Sequence, residues 1–319
     1  MTEIALLLYP GAQMAAVHGL TDIFAVATRL AGQRAERAPL LRVSHWQAGA
    51  DGTIACSFDS RPGLPHAPAF AIAPPSLSPL PDDAALRPFA DWLRAWHGRG
   101  AVLGSVCAGA FVLAQTGLLA GRRATTHWGY AELLARRHPE VRVDAGPLII
   151  DDGDIITAGG VMAWTDLGLV LVERLLGPSL MMETARFLLI DPPGREQRPY
   201  ERFRPRLDHG DEAILAVQRW LAATGARDAD LAAMTARAGL EERTFLRRFR
   251  KATSLRPTEY CQQLRIEKAR ELLELSRRPV ETIAYEVGYD DPASFRRLFQ
   301  RLTGLSPGAY RRRFAPLAR

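Results

Sequence analysis

Over the first 190 residues, short apolar runs of strand length alternate with longer stretches whose apolar residues recur three and four apart. The runs Ile4–Leu8, Leu41–Trp46, Phe70–Ala73, Ala101–Val106, Leu148–Ile150 and Asp154–Thr157 predict strands. The stretches His18–Leu30, Asp82–His97, Ala110–Leu119, Gly129–His138 and Ala163–Leu176 predict amphipathic helices. Strands that alternate with helices predict an α/β domain, residues 1–190, built on a mostly parallel sheet. Residues 191–209, rich in proline and arginine and nearly without aliphatic side chains, predict a linker. From residue 210 to 319 the pattern is all-α, punctuated by Gly239, Gly288 and Gly304 and by Pro257, Pro279, Pro292 and Pro307.

The helical part repeats itself with a period of 50 residues. Phe245, Arg247, Phe249, Thr253, Leu255, Pro257 and Tyr260 match Phe295, Arg297, Phe299, Thr303, Leu305, Pro307 and Tyr310. Seven identities at one offset mark a duplicated supersecondary unit. Each copy reads as a short helix, a glycine turn and a second helix: Ala229–Arg237 and then Glu241–Lys251 in the first, Val280–Val287 and then Pro292–Leu302 in the second. In the second copy Asp291 and Pro292 supply an N-cap and a proline at the first helical position. The phenylalanines four apart predict a buried face, and arginines line the opposite one. A solvated basic face on an ordinary helical bundle would also carry arginines, but it does not require them to recur in step with the repeat.

Charge placement sharpens this reading. Residues 1–207 carry 20 Lys and Arg against 20 Asp and Glu, whereas residues 208–319 carry 21 against 15, so the whole excess of +6 lies in the helical part. That is the footprint of a domain that meets a polyanion. No apolar run reaches the length of a membrane span, and the first residues lack the charged start of a signal peptide, so the expectation is a cytoplasmic protein with no membrane partner. Cys56, Cys107 and Cys261 are far apart and suggest neither a disulfide framework nor a metal site.

The segment IAYEVGYDDPASFRRLFQRLTGLSPGAYRRRF, within residues 211–314, resembles the signature of the AraC/XylS DNA-binding domain. The resemblance implies two helix-turn-helix units joined by a long helix near Thr258–Leu275, with double-stranded DNA as the partner. On that resemblance base contacts fall to Arg243, Leu246 and Arg247 in the first unit and to Ala293, Ser294 and Arg297 in the second, while Lys251, Arg296 and Arg301 are phosphate candidates. Two positions depart from the family pattern: Glu241 stands where serine is usual at the helix cap, and Ser254 where glycine is usual.

In the first domain, AVLGSVCAGAFVLAQTGLL runs strand, sharp turn, helix, with Cys107 at the turn among Ser105, Ala108 and Gly109. That is nucleophile-elbow spacing. A helix N-terminus favours a thiolate, and His127 in ATTHW completes a candidate reactive or sensor pair. A cysteine in an apolar stretch also fits a plain core residue. The segments GSVCAGAFVLAQTGLLAGRRATTHW and DGDIITAGGVMAWTDLGLVLVE resemble the PfpI-like branch of the class I glutamine amidotransferase superfamily, and the order of the two domains resembles the GlxA-type regulators. The resemblance implies a flavodoxin-like sandwich, a homodimer, and a small-molecule effector pocket drawn from Ala16, Cys107, Ala108, His127 and Trp128, with Arg122 and Arg123 near it. Enzymes of this superfamily place a carboxylate five residues after the glycine that ends the first strand. Here that glycine is Gly11 and the position is Ala16, with Asp22 the nearest acid in sequence. The expectation is a DNA-binding regulator with no catalytic residue, no cofactor and no metal. The alternative is a cysteine amidase, a hydratase-like enzyme or a redox sensor acting through Cys107.

Overall fold

A computed structural model describes residues 1–34, 40–227 and 229–316. The chain divides into two compact units, Met1–Gln197 and Arg198–Arg319.

The first unit is built on strands β1 (Thr2–Leu8), β2 (Leu41–Ala48), β3 (Ile54–Asp59), β4 (Pro68–Ala73), β5 (Val102–Val106), β6 (Arg123–Ala124), β7 (Arg142–Val143), β8 (Ile149–Asp151) and β9 (Ile155–Ala158). Seven of them form one sheet in the order β3-β2-β1-β4-β5-β9-β8, and β6 and β7 form a separate short ladder. The five central strands are parallel, while β3 and β8 close the edges antiparallel. Alternation along β1 explains the layering: Ile4 and Leu6 enter one core and Ala5 and Leu7 the other. Helices α1 (Met14–Gln33), α5 (Trp164–Leu176) and α6 (Pro178–Leu188) cover the first face. Helices α2 (Asp83–His97), α3 (Gly109–Ala114) and α4 (Ala131–Arg137) cover the second. The result is the expected three-layer sandwich with a mostly parallel sheet.

Besides the two-residue strands β6 and β7, two elements were not expected. β3 is a half-exposed edge strand whose weakly apolar sequence IACSFD does not stand out from a loop. α6 follows Gly177 with Pro178 at its first turn, and buries Leu180, Met181, Thr184 and Ala185 at helical spacing. The helix expected over Ala110–Leu119 ends at Ala114, because Gly117 and Gly121 take positive φ and turn the chain.

The second unit contains α7 (Glu212–Thr224), α8 (Leu231–Ala238), α9 (Glu242–Thr253), α10 (Pro257–Leu275), α11 (Val280–Glu286), α12 (Pro292–Thr303) and α13 (Pro307–Phe314). It has two cores rather than one. Phe245, Phe249 and Tyr260 close the first, and Phe295, Phe299 and Tyr310 close the second. The long helix α10 serves both, giving Cys261 to the first core and Ile266, Ala269 and Leu273 to the second.

Residues 198–209 lack helix and strand but are held by side chains of this unit. Arg202 pairs with Glu267 and Glu274 of α10, Arg270 donates to the carbonyls of Arg198 and Glu201, and Phe203 meets Tyr260 edge to face at 5.2 Å.

Candidate nucleic-acid interface and elbow site

The repeat seen in the sequence has a physical content at nearly every position. The Phe245–Phe249 and Phe295–Phe299 ring centroids are 5.3 and 5.7 Å apart, and the second ring of each pair meets Tyr260 or Tyr310 at 5.4 Å. Thr253 and Thr303 each donate to the carbonyl four residues back at 2.8 Å and accept the N–H of Leu255 or Leu305 at 3.2 Å. Pro257 and Pro307 are buried at the starts of α10 and α13. Six of the seven identical pairs therefore build cores and turns. The seventh, Arg247 and Arg297, is exposed at matching positions of α9 and α12 and builds neither.

The surroundings of these two arginines differ. Arg297 is 73% exposed and donates to Ser294 Oγ at 2.8 Å beside Asp291. Arg247 lines a concavity of about 440 Å³ with Leu246, Arg250 and Arg256, between α8, α9 and the start of α10. Leu246 is 37% exposed, an apolar side chain on the outer face of a helix. Arg243, Lys251, Ala293 and Arg301 are exposed, Ser294 is half-buried, and Arg296 is ion-paired with Glu281. Between the two copies Arg265 reaches both ways: it donates to the carbonyl of Ala226 at 2.8 and 3.1 Å and to that of Gly288 at 3.0 Å. One guanidinium thus ties the turn of the second copy to the chain just past α7, ahead of the first copy.

The two departures in the first copy have structural consequences. Asp291 caps α12 by accepting the N–H groups of Ala293 and Ser294 at 2.9 Å, whereas Glu241, one methylene longer, makes no such bond to α9. Ser254 ends α9 at φ 63°, the left-handed conformation that Gly304 takes at φ 75° after α12. A side chain there costs about 1–2 kcal/mol, and glycine returns about 0.5–1 kcal/mol of that as unfolded-chain entropy. Ser254→Gly is therefore expected to raise stability by about 0.5–1 kcal/mol, read as a higher urea midpoint at unchanged slope. A lower midpoint would contradict the strain.

In the first unit the elbow is as expected in shape and different in chemistry. Cys107 sits at φ 52° between β5 and α3, and is fully buried. The turn needs Gly109, because a Cβ there would lie 2.1 Å from the carbonyl oxygen of Ala73. The helix-start argument predicts a lowered thiol pKa, but burial wins and pushes the thiol up to about 11, although the backbone N–H groups of Ala108 and His127 donate to it. α3 has only six residues and a correspondingly small dipole. From residue 127 it is the backbone that meets the sulfur, while the imidazole Nδ1 accepts the N–H of Gly129 at 3.0 Å.

Ala16 and Ala108 are fully buried, and His127 and Trp128 are half-buried with ring centroids 5.1 Å apart. Arg122 is committed elsewhere, to Asp154 and Asp152, and Arg123 to Asp144. Asp22 is exposed on α1. Sequence reasoning missed Tyr9, whose hydroxyl donates to Pro74 and whose pKa rises by burial and by nearness to Cys107 and Tyr130. It also missed Thr126, which donates to the Cys107 carbonyl at 2.7 Å, and Gln197, which is buried against the same loop. Thr126 lies within the ATTHW motif that was read, so it was within reach; Gln197 lies 70 residues from His127 and carried no signal. Among the described residues no group of three potential metal ligands occurs, and no helix is long and apolar enough to cross a membrane.

Comparison with known proteins agrees with both halves. A helix-turn-helix domain family matches residues 234–313, and the DJ-1/PfpI family matches residues 79–174. The HTH-type transcriptional regulator GlxA of Rhizobium meliloti is 32% identical over 224 residues, 69% of this chain and 68% of that protein. The HTH-type transcriptional regulator CdhR of Pseudomonas aeruginosa is 29% identical over 227 residues, 68% of this chain and 64% of that protein. An isonitrile hydratase of Pseudomonas putida is 37% identical over 87 residues, 27% of this chain and 37% of that enzyme.

Proposed function

The chain belongs to the GlxA-type regulators, which join a DJ-1/PfpI-like domain to an AraC-type helix-turn-helix domain, and is a DNA-binding transcription regulator; from that premise we propose how it reads DNA and what its first unit does. α9 and α12 enter successive major-groove faces of one duplex, about 10 base pairs apart. Arg247 and Arg297 read guanine edges, Leu246 meets a thymine methyl, and Arg243, Ala293 and Ser294 approach neighbouring bases. Lys251, Arg296 and Arg301 engage phosphates, and Arg296 exchanges Glu281 for one. The observation that carries this reading is the exposed Arg247–Arg297 pair, the one repeated identity that the cores and turns do not explain.

A phosphate contact differs from a base contact in its salt dependence. Each neutralised phosphate adds about 0.9 to the slope of log affinity against log salt. Arg301→Ala is expected to lower that slope by about 1 and to weaken specific and non-specific duplexes alike, measured by fluorescence anisotropy on the DNA upstream of the protein's own gene. An unchanged slope with loss confined to one sequence would make Arg301 a base reader.

We read the first unit as a sensor of a small molecule and as the homodimer contact, in a cytoplasmic protein, and not as an enzyme. A protonated, buried Cys107 and the alanine at position 16 support that reading over amide or isonitrile chemistry.

A further inference from the structure

Gln197 is the last residue of the first unit, and its side chain is 2% exposed. Its Oε1 accepts the backbone N–H of Trp128 at 3.1 Å. Its Nε2 donates to Thr125 Oγ1 at 3.1 Å, to the carbonyl of Thr126 at 2.9 Å and to the carbonyl of Pro147 at 3.3 Å. Carbonyls only accept, so the chemistry of the partners fixes which end of the amide is nitrogen. The chain leaves room for it: a Cβ on Gly159 would lie 2.1 Å from Nε2 and 2.3 Å from Cδ. Thr125 is itself held to the sheet, its N–H donating to Thr157 Oγ1 at 2.9 Å. Thr157 pairs across the sheet with Ser105, fully buried, whose hydroxyl finds no hydrogen-bond partner in the structure. The cradle also touches the elbow, since Thr126 Oγ1 donates to the Cys107 carbonyl and the N–H of His127 reaches the thiol.

One N–H donor set against two carbonyls and a hydroxyl, none of these four hydrogen-bond partners charged, is a receptor for a primary carboxamide. A carboxylate would turn an oxygen toward two carbonyls. An ammonium would leave the Trp128 N–H unmet, and a dialkyl amide has no donors. We propose that this cradle is a binding site for small primary amides, filled in this state by the chain's own Gln197, and that a free amide displaces Gln197 and loosens the segment that runs into the DNA reader. The proposal rests on the reading of the first unit as a sensor. Residue 198 follows directly, and its carbonyl accepts from Arg270 on α10, the helix shared by the two reading units. A tethered glutamine competes at a millimolar or higher effective concentration, so a small amide binds the unaltered chain weakly and shows its affinity once the glutamine is gone.

The test uses the full chain and acetamide, with acetate and N,N-dimethylacetamide as controls, by calorimetric titration without DNA. Gln197→Ala is expected to bind acetamide about 10-fold or more tighter than the unaltered chain and to bind neither control. Gly159→Ala expels the glutamine but fills the cradle, and is expected to bind no acetamide. Trypsin cleavage after Arg195, two residues before Gln197, is expected to quicken in both variants, and in the unaltered chain at saturating acetamide but not at equal N,N-dimethylacetamide. Equal acetamide affinity with and without Gln197, or an equal response to the dialkyl amide, overturns the proposal. If the variants fail to fold, the trypsin comparison on the unaltered chain decides alone: equal cleavage rates overturn it. Duplex affinity is measured separately. Amide binding without any duplex binding would contradict the regulator reading alone, and duplex binding without amide binding would contradict this proposal alone.

Discussion

Arg247→Ala is expected to weaken specific duplex binding about 5- to 150-fold, and Arg297→Ala by a similar factor, while binding to unrelated duplex falls far less. Each range follows from a bidentate arginine–guanine contact worth about 1–3 kcal/mol, at about 1.4 kcal/mol per decade. The two losses are expected to add, giving about 30-fold to 10⁴-fold in the double variant. Additivity has a structural basis: α9 and α12 sit on separate cores, and α10 is the element they share. Both side chains are exposed, so thermal unfolding of the variants is expected within about 0.5 kcal/mol of the parent. Arg297, steadied by Ser294 and Asp291, begins closer to a fixed orientation than Arg247 does, but exposed pairs of this kind are worth little and do not lock it. A loss below about 3-fold in the double variant would contradict the assignment of these two residues to base edges.

Cys107 is expected to be chemically quiet. Burial lifts its pKa from 9.0 to about 11, which lowers the thiolate fraction at neutral pH about 100-fold before access is counted. In iodoacetamide labelling at pH 7, half-exposed Cys56 is expected to react first and Cys107 to remain unmodified while the chain is folded. The same shift bears on stability. A thiol whose folded pKa is raised contributes stability that is full below about pH 9 and is lost as the pH rises through about 11. Unfolding free energy is therefore expected to fall across that window, and Cys107→Ala to flatten the fall. Rapid labelling of Cys107 at pH 7 would instead favour the redox or catalytic alternative.

The two units were legible in the sequence for different reasons. In the second, the period of 50 residues encodes both the cores and the turns, because each repeated residue does the same physical work twice. Glu241 and Ser254 were visible as departures, and the structure gives each its meaning: an uncapped helix start and a strained helix end. In the first, apolar runs marked the central strands, which are buried on both faces. β3 escaped because an exposed edge strand needs little apolar pattern, and α6 because Gly177 and Pro178 read as a break when they are a helix start.

The elbow illustrates the limit of local reasoning. Small residues around Cys107 correctly predicted its sharp turn. The thiol's state depends on total burial, to which residues from across the sheet contribute, and no short motif records that. Arg122 and Arg123 lay near the elbow in sequence, yet Asp154, Asp152 and Asp144 hold them elsewhere. Gln197 is the converse case, distant in sequence and built into the same loop.

Hydroxyl-radical footprinting of the upstream duplex, with the parent chain and each arginine variant, tests the central claim most directly. The account predicts two protected patches on one face of the duplex, about 10 base pairs apart for each protomer, with Arg247→Ala weakening one and Arg297→Ala the other. A single patch, or one that both substitutions weaken together, would contradict a reader made of two matched helices.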